Sequence, residues 1–142
     1  MKEPLLSIVI ANYNYGRFLE EAIQSVLSQS CDDYELIIVD GGSTDNSVEI
    51  IKKYEDKIAW WVSEKDNGQS DAFNKGFAQA RGKYLTWLNA DDLLMPNALL
   101  RVWEKLEKES SADWATGNFI RFRRAVKLGY GNRLNLKLPL CV

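Results

Sequence analysis

Histidine is absent from all 142 residues. That removes imidazole metal ligands, His-based triads and a His general base, so acid–base chemistry falls to carboxylates, lysines or tyrosines. Cysteine is scarce, with Cys31 and Cys141 alone, too few for a disulfide framework or a zinc cluster. Long apolar runs are missing as well. Stretches such as Leu36 to Val39 have only strand length, so no membrane-spanning helix is expected. The opening Met1-Lys2-Glu3-Pro4 lacks the apolar core of a signal peptide. The expected location is therefore cytoplasmic, including the cytoplasmic face of a membrane. The usual phosphate cradles are absent too: the chain contains neither G-x-G-x-x-G after its first strand nor G-x-x-x-x-G-K-[ST].

What is present suits one globular domain. Hydrophobic residues make up 46% and charged residues 27%, enough apolar material for a buried core and enough charge for a wet surface. The net charge of −2 hides an asymmetry. Residues 1–116 hold 12 Lys/Arg and 20 Asp/Glu, whereas residues 117–142 hold six basic residues (Arg121, Arg123, Arg124, Lys127, Arg133, Lys137) and no acid. A basic run is ordinarily a solvated face. Contact with an anionic substrate or membrane surface is the alternative. Nucleic acid is not an expected partner, because the rest of the domain is acidic.

Strand-like and helix-like segments alternate. Leu5 to Ala11 and Tyr34 to Val39 read as buried strands, Ile58 to Val62 as a third and Tyr84 to Leu88 as a fourth. Trp114 to Arg121 is a predicted fifth. Between them, Phe18, Leu19, Ala22, Ile23, Val26 and Leu27 fall on one helical face, as do Ala72, Phe73, Gly76, Phe77 and Ala80. Ser43, Thr44 and Asp45 are candidate N-caps for a helix reaching Tyr54. Gly82 is placed to end the helix over 72–80. Pro96 is placed to begin another, with Leu99, Val102, Trp103 and Leu106 as its apolar face. This order predicts a parallel α/β sheet with right-handed crossovers.

In open α/β sheets, ligands bind beyond the carboxyl ends of the strands. Asn12 to Tyr15 follow the first strand, Asp40 the second, and Asn89 to Asp92 the fourth. A diphosphate bound there without a glycine-rich cradle needs another source of positive charge. Adjacent carboxylates such as Asp91-Asp92 supply it by holding a divalent cation, although Asp ahead of a helix also serves as a cap. Asp40 suits a base N–H, or an Asx-turn leading into Gly41-Gly42. Tyr13 suits base stacking or loop packing. Asp71 and Lys75 are spaced as a helical ion pair. Trp60, Trp61, Trp87, Trp103 and Trp114 are expected in the core rather than as sugar platforms.

Ser7-Ile8-Val9-Ile10-Ala11-Asn12-Tyr13-Asn14, Ser25-Val26-Leu27-Ser28-Gln29 and Val39-Asp40-Gly41-Gly42-Ser43-Thr44-Asp45 resemble the opening of family 2 glycosyltransferases with the GT-A fold. Asn67-Gly68-Gln69-Ser70-Asp71-Ala72-Phe73-Asn74-Lys75-Gly76 and Trp87-Leu88-Asn89-Ala90-Asp91-Asp92 continue the resemblance in the same order, over about residues 5–120. It implies a Rossmann-like GT-A domain over 1–120 that binds a nucleotide diphosphate sugar. The implied activity is metal-dependent, inverting transfer of the sugar to an acceptor hydroxyl, in polysaccharide or cell-envelope glycan synthesis. Ala11 and Tyr13 would line the nucleotide pocket and Asp40 would bind the base. Asp91 would face the ribose or sugar, and Asp92 (with Asp91) would hold Mn²⁺ or Mg²⁺ on the diphosphate. Asp40→Ala is then expected to weaken nucleotide binding and leave the fold intact.

Two departures stand out. Asn89 occupies the first position of the family's D-x-D signature, and Gly41 replaces a frequent second Asp after Asp40. Residues 121–142 read as a basic tail opening a missing acceptor-binding part, with no Asp or Glu to act as catalytic base. Alternating Leu134, Leu136, Leu138 and Leu140 suggest an apolar strand face and self-association. A non-catalytic nucleotide-sugar-binding fragment is the alternative reading. A receiver-like signalling domain is a more distant one, since it would place its acidic pair after the first strand.

Overall fold

The computed structural model describes residues 3–108. The predicted strand Trp114–Arg121, the basic tail and the leucine alternation lie outside the described residues. Four strands form one sheet: β1 (Leu6–Asn12), β2 (Tyr34–Asp40), β3 (Trp60–Ser63) and β4 (Tyr84–Asn89). Every pair is parallel and the order is β3-β2-β1-β4. The helices are α1 (Gly16–Leu27), α2 (Ser47–Lys53), α3 (Gln69–Gln79) and α4 (Ala98–Lys108).

β1 and β2 are buried along nearly their whole length, because they lie at the centre of the sheet with helices on both faces. Period-two alternation divides their side chains. Leu6, Ile8, Ile10, Leu36 and Ile38 join Leu19, Ile23, Val26, Ile51 and Leu99 in the larger core layer. Val9, Ala11, Ile37 and Val39 face Ala72, Phe73 and Phe77 of α3. Gly76 sets the depth of that second contact: a Cβ there would come within 2.3 Å of Val9 Cγ1.

The sheet corrects four local expectations. Gly82 does not end α3, which stops at Gln79. It serves a close approach instead, since a Cβ at Gly82 would lie 2.6 Å from the Ser7 backbone nitrogen. Pro96 precedes α4 by two residues, across a turn in which Asn97 has φ 62°. None of Ser43, Thr44 and Asp45 is the N-cap of α2. Asn46 takes that place without a side-chain hydrogen bond, while Asp45 accepts hydrogen bonds from the N–H and Oγ–H of Ser47 and from Gly16 N–H. Trp87 is not a core residue: it is 61% exposed. Its ring reaches Phe73 of α3 at a centroid distance of 6.1 Å, but α3 packs chiefly on β1 and β2 and leaves most of the indole uncovered. Trp103 is likewise exposed, whereas Trp60 and Trp61 pack against the two core layers.

The buried polar groups on β1 and β2 meet as register partners. Ser7 lies opposite Glu35 at one end, and Asn12 lies opposite Asp40 at the other. At the amino end, Ser7 Oγ–H and Arg81 N–H donate to Glu35 Oε1, and the Arg81 guanidinium donates to Oε2 at 2.7 and 3.0 Å. Burial alone would raise the pKa of Glu35, but hydrogen bonds from Ser7 and Arg81 outweigh it and hold the carboxyl below its ordinary value of 4.5.

Candidate functional site

The strand order fixes where a ligand sits. The chain runs from β1 outward through β2 to β3, then returns to place β4 on the other side of β1. The carboxyl ends of β1 and β4 therefore diverge into a crevice at the reversal point, where ligands of doubly wound sheets bind. A cavity of about 630 Å³ opens there, within the usual range for small-molecule sites. Its lining includes Ala11, Asn12 and Tyr13 after β1, Gly41 after β2, Asp66 and Gln69 before and within α3, and Asn89 and Asp91 after β4.

Of the residues expected at a nucleotide site, Ala11, Tyr13 and Asp91 line this cavity. Tyr13 is 59% exposed and presents an unburied ring at the rim. Asp92 is exposed but outside the lining, and its Oδ2 accepts a hydrogen bond from Asn89 Nδ2 at 2.8 Å. Asn89 Oδ1 in turn accepts from Gln69 Nε2 at 2.7 Å, which ties the start of α3 to the end of β4. Asn89 thus orients Asp92 rather than acting as a charged member of a carboxylate pair.

Asp40 differs from the expected direct base contact. Its relative exposure is 0%, and it does not line the cavity. Oδ1 accepts from Asn12 Nδ2 (2.6 Å) and Ser43 Oγ–H (2.5 Å), and Oδ2 accepts from Ser43 N–H (2.9 Å) and Ser63 Oγ–H (2.6 Å). These donors come from the ends of β1, β2 and β3. The carboxylate therefore ties three strand ends together beneath the cavity, close to the Asx-turn alternative in character. Ser43 Oγ also accepts from Asn14 N–H, and Asn14 Oδ1 accepts from Thr44 N–H, so the loops after β1 and β2 are joined. Asn14 has φ 55°, a left-handed conformation that asparagine tolerates.

The loop between β3 and α3 supplies lining residues to which sequence reasoning assigned no role: Lys65, Asp66, Gly68 and Gln69. The same strand-end rule would have found them, because they follow the third strand as Asp40 follows the second. Asp71 and Lys75 do form the expected ion pair, at 3.7 Å, but Lys75 sits closer to Glu64, at 2.8 Å. That hydrogen bond raises the Lys75 pKa and keeps it cationic, which argues against a role as general base.

Among the described residues, the cavity lining carries the charged side chains Asp66, Asp91 and Lys65. Two adjacent carboxylates, Asp91 and Asp92, suit a cation that takes its remaining ligands from phosphate and water. Among the described residues no group of three or more His, Cys, Asp or Glu forms an all-protein metal cage.

A parallel sheet with its crevice at the strand-order reversal, bordered by small residues and by an acidic pair after β4, is an α/β domain of GT-A type. The sequence profile of glycosyl transferase family 2 matches residues 7–135, and the chain belongs to that family. An uncharacterized glycosyltransferase of Nostoc sp. is 46% identical over 103 residues, covering 70% of this chain and 32% of the relative. Glycosyltransferase GlyG of Streptococcus pneumoniae is 32% identical over 121 residues, covering 83% of this chain and 40% of the relative. The chain therefore spans well under half the length of these relatives. Among solved structures, Staphylococcus aureus TarS in complex with UDP-GlcNAc superimposes with a TM-score of 0.68 at 22% identity, covering 74% of this chain and 32% of that one. The mannosyltransferase PcManGT of Pyrobaculum calidifontis, in complex with GDP-Man and Mn²⁺, gives a TM-score of 0.62 at 23% identity, covering 70% and 31%.

Proposed function

We propose that this domain binds a nucleoside diphosphate sugar together with Mn²⁺ or Mg²⁺ in the cavity between β1 and β4. We further propose that it serves inverting transfer of the sugar to an acceptor hydroxyl in polysaccharide or cell-envelope glycan synthesis. The observation that carries the reading is the roughly 630 Å³ cavity lined by Ala11, Tyr13 and Asp91 at the reversal point of the sheet. The UDP-GlcNAc of the TarS complex and the GDP-Man and Mn²⁺ of the PcManGT complex support the ligand class.

Tyr13 offers a ring for base stacking, and Ala11 leaves room beside it. Asp91 faces the ribose or sugar and, with Asp92, holds the cation. A cation held there would supply Lewis-acid stabilisation of charge on the diphosphate. The protein's own part is to hold donor and acceptor in line. A cytoplasmic setting belongs to the same reading. Cys31 is a buried free thiol, and no helix among the described residues is long and apolar enough to cross a membrane.

A thermal-shift panel of UDP-, GDP-, CMP- and dTDP-sugars, with and without Mn²⁺, tests the proposal. A true ligand at 100 times its Kd adds about 2.7 kcal/mol of stability. No shift with any member of the panel would refute the assignment. The cation's place is tested separately. Asp92→Asn is expected to abolish the Mn²⁺-induced gain in nucleotide affinity, because a neutral amide is a poorer partner for a hard cation. Asn89→Ala should reduce the gain only partly, since it loosens the orientation of Asp92. Greater damage from Asn89→Ala than from Asp92→Asn would reverse the assignment.

A further inference from the structure

Asp40 is saturated and lies beneath the cavity, so a base N–H in the pocket needs another acceptor. Asp66 is placed to be that acceptor. It is half-buried in the loop joining β3 to α3 and lines the cavity with Ala11 and Tyr13. Its Oδ1 accepts from Gly68 N–H, two residues on, at 2.9 Å. Its Oδ2 accepts no hydrogen bond from any described residue.

The carboxylate rests on the backbone of Gly41. A Cβ at that position would fall 2.7 Å from Asp66 Oδ2 and 3.1 Å from Cγ. A side chain at position 41 would push the carboxylate from this seat. The departure at position 41 thus acquires a reason: side-chain volume removed there admits a carboxylate from a different loop. A second acceptor borders the same cavity without a partner among the described residues. Asn12 Oδ1 is buried and unpaired, while Asn12 Nδ2 is committed to Asp40 and Ser43.

We propose that Asp66, seated on Gly41, is the carboxylate that accepts the ring N–H of the bound nucleobase, and that Asp40 acts only by positioning the loops around it. This rests on the nucleotide reading above. It selects for bases that present an N–H at the ring edge, such as uracil, thymine and guanine.

The test compares calorimetric affinities for UDP, GDP and inorganic pyrophosphate, each with Mn²⁺. Asp66→Asn keeps an acceptor for Gly68 N–H but can turn a donor toward the base. It should weaken UDP or GDP binding by roughly 10- to 100-fold, the usual effect of losing a charged hydrogen bond, and leave pyrophosphate binding unchanged. Gly41→Ala should do the same by displacing Asp66, and the double variant should be no weaker than either single one. Unchanged nucleotide affinity in Asp66→Asn would overturn the proposal. So would an equal loss for pyrophosphate, which would place Asp66 on the phosphates. A wild-type chain that binds pyrophosphate but no nucleotide overturns the nucleotide reading and this one with it.

Discussion

Asp40→Ala is expected to destabilise the domain by about 3 to 5 kcal/mol and to remove nucleotide binding as a consequence. The substitution strands Asn12 Nδ2, Ser43 N–H, Ser43 Oγ–H and Ser63 Oγ–H, all of which donate to this one carboxylate. A buried donor left without an acceptor costs roughly 1 to 3 kcal/mol. Water entering from the adjacent cavity offsets part of that sum. The melting temperature should fall by roughly 10 °C. This replaces the sequence-based expectation that the fold survives intact. Thermal denaturation beside nucleotide titration checks it. A variant with unchanged melting temperature and weakened nucleotide affinity would restore Asp40 to direct contact with the base.

Glu35→Ala is expected to cost about 2 to 3 kcal/mol while leaving nucleotide affinity of the folded protein unchanged. Glu35 sits five residues before Asp40 on β2, roughly 16 Å away along an extended strand. Its loss leaves Ser7 Oγ and Arg81 N–H without their acceptor. The Arg81 guanidinium is more than half exposed, so it reaches water and adds little to the penalty. The lowered pKa adds a pH signature. A carboxyl whose folded pKa lies below its unfolded value stabilises fully above about 4.5, and the contribution is lost as pH falls through the folded value. Glu35→Gln should therefore flatten the decline of unfolding free energy below that pH. Part of the slope remains, because Glu20 and Asp45 are also held below their ordinary values, Glu20 chiefly by its hydrogen bond from Lys53. Denaturant titrations between pH 3 and 7, about the range in which carboxylates ionise, measure this. An identical pH slope in wild type and variant would show that Glu35 carries no such linkage.

The sequence by itself determined the layered α/β architecture. Continuous apolar, β-branched runs such as Ile8-Val9-Ile10 and Leu36-Ile37-Ile38 read as strands covered on both faces. Their ends were legible for the same reason, which is why Ala11, Tyr13 and Asp91 line the cavity where the strand-end rule expects a ligand. The fate of each carboxylate was not legible. Asp40, Asp66 and Asp92 are alike in a linear reading, yet one is saturated by three strand ends, one rests on a distant glycine, and one is held by Asn89. Asn89 lies only three residues from Asp92, but the partners of Asp40 on β1 and β3 and the seat of Asp66 are brought together by the pairing of β1, β2 and β3 and by the loop before α3, contacts between segments more than twenty residues apart. Trp87 follows the same logic: its strand pattern promised burial, but only the extent of α3 decides which strands are covered. Periodicity records which way a side chain faces, and only the assembled sheet decides what it meets there.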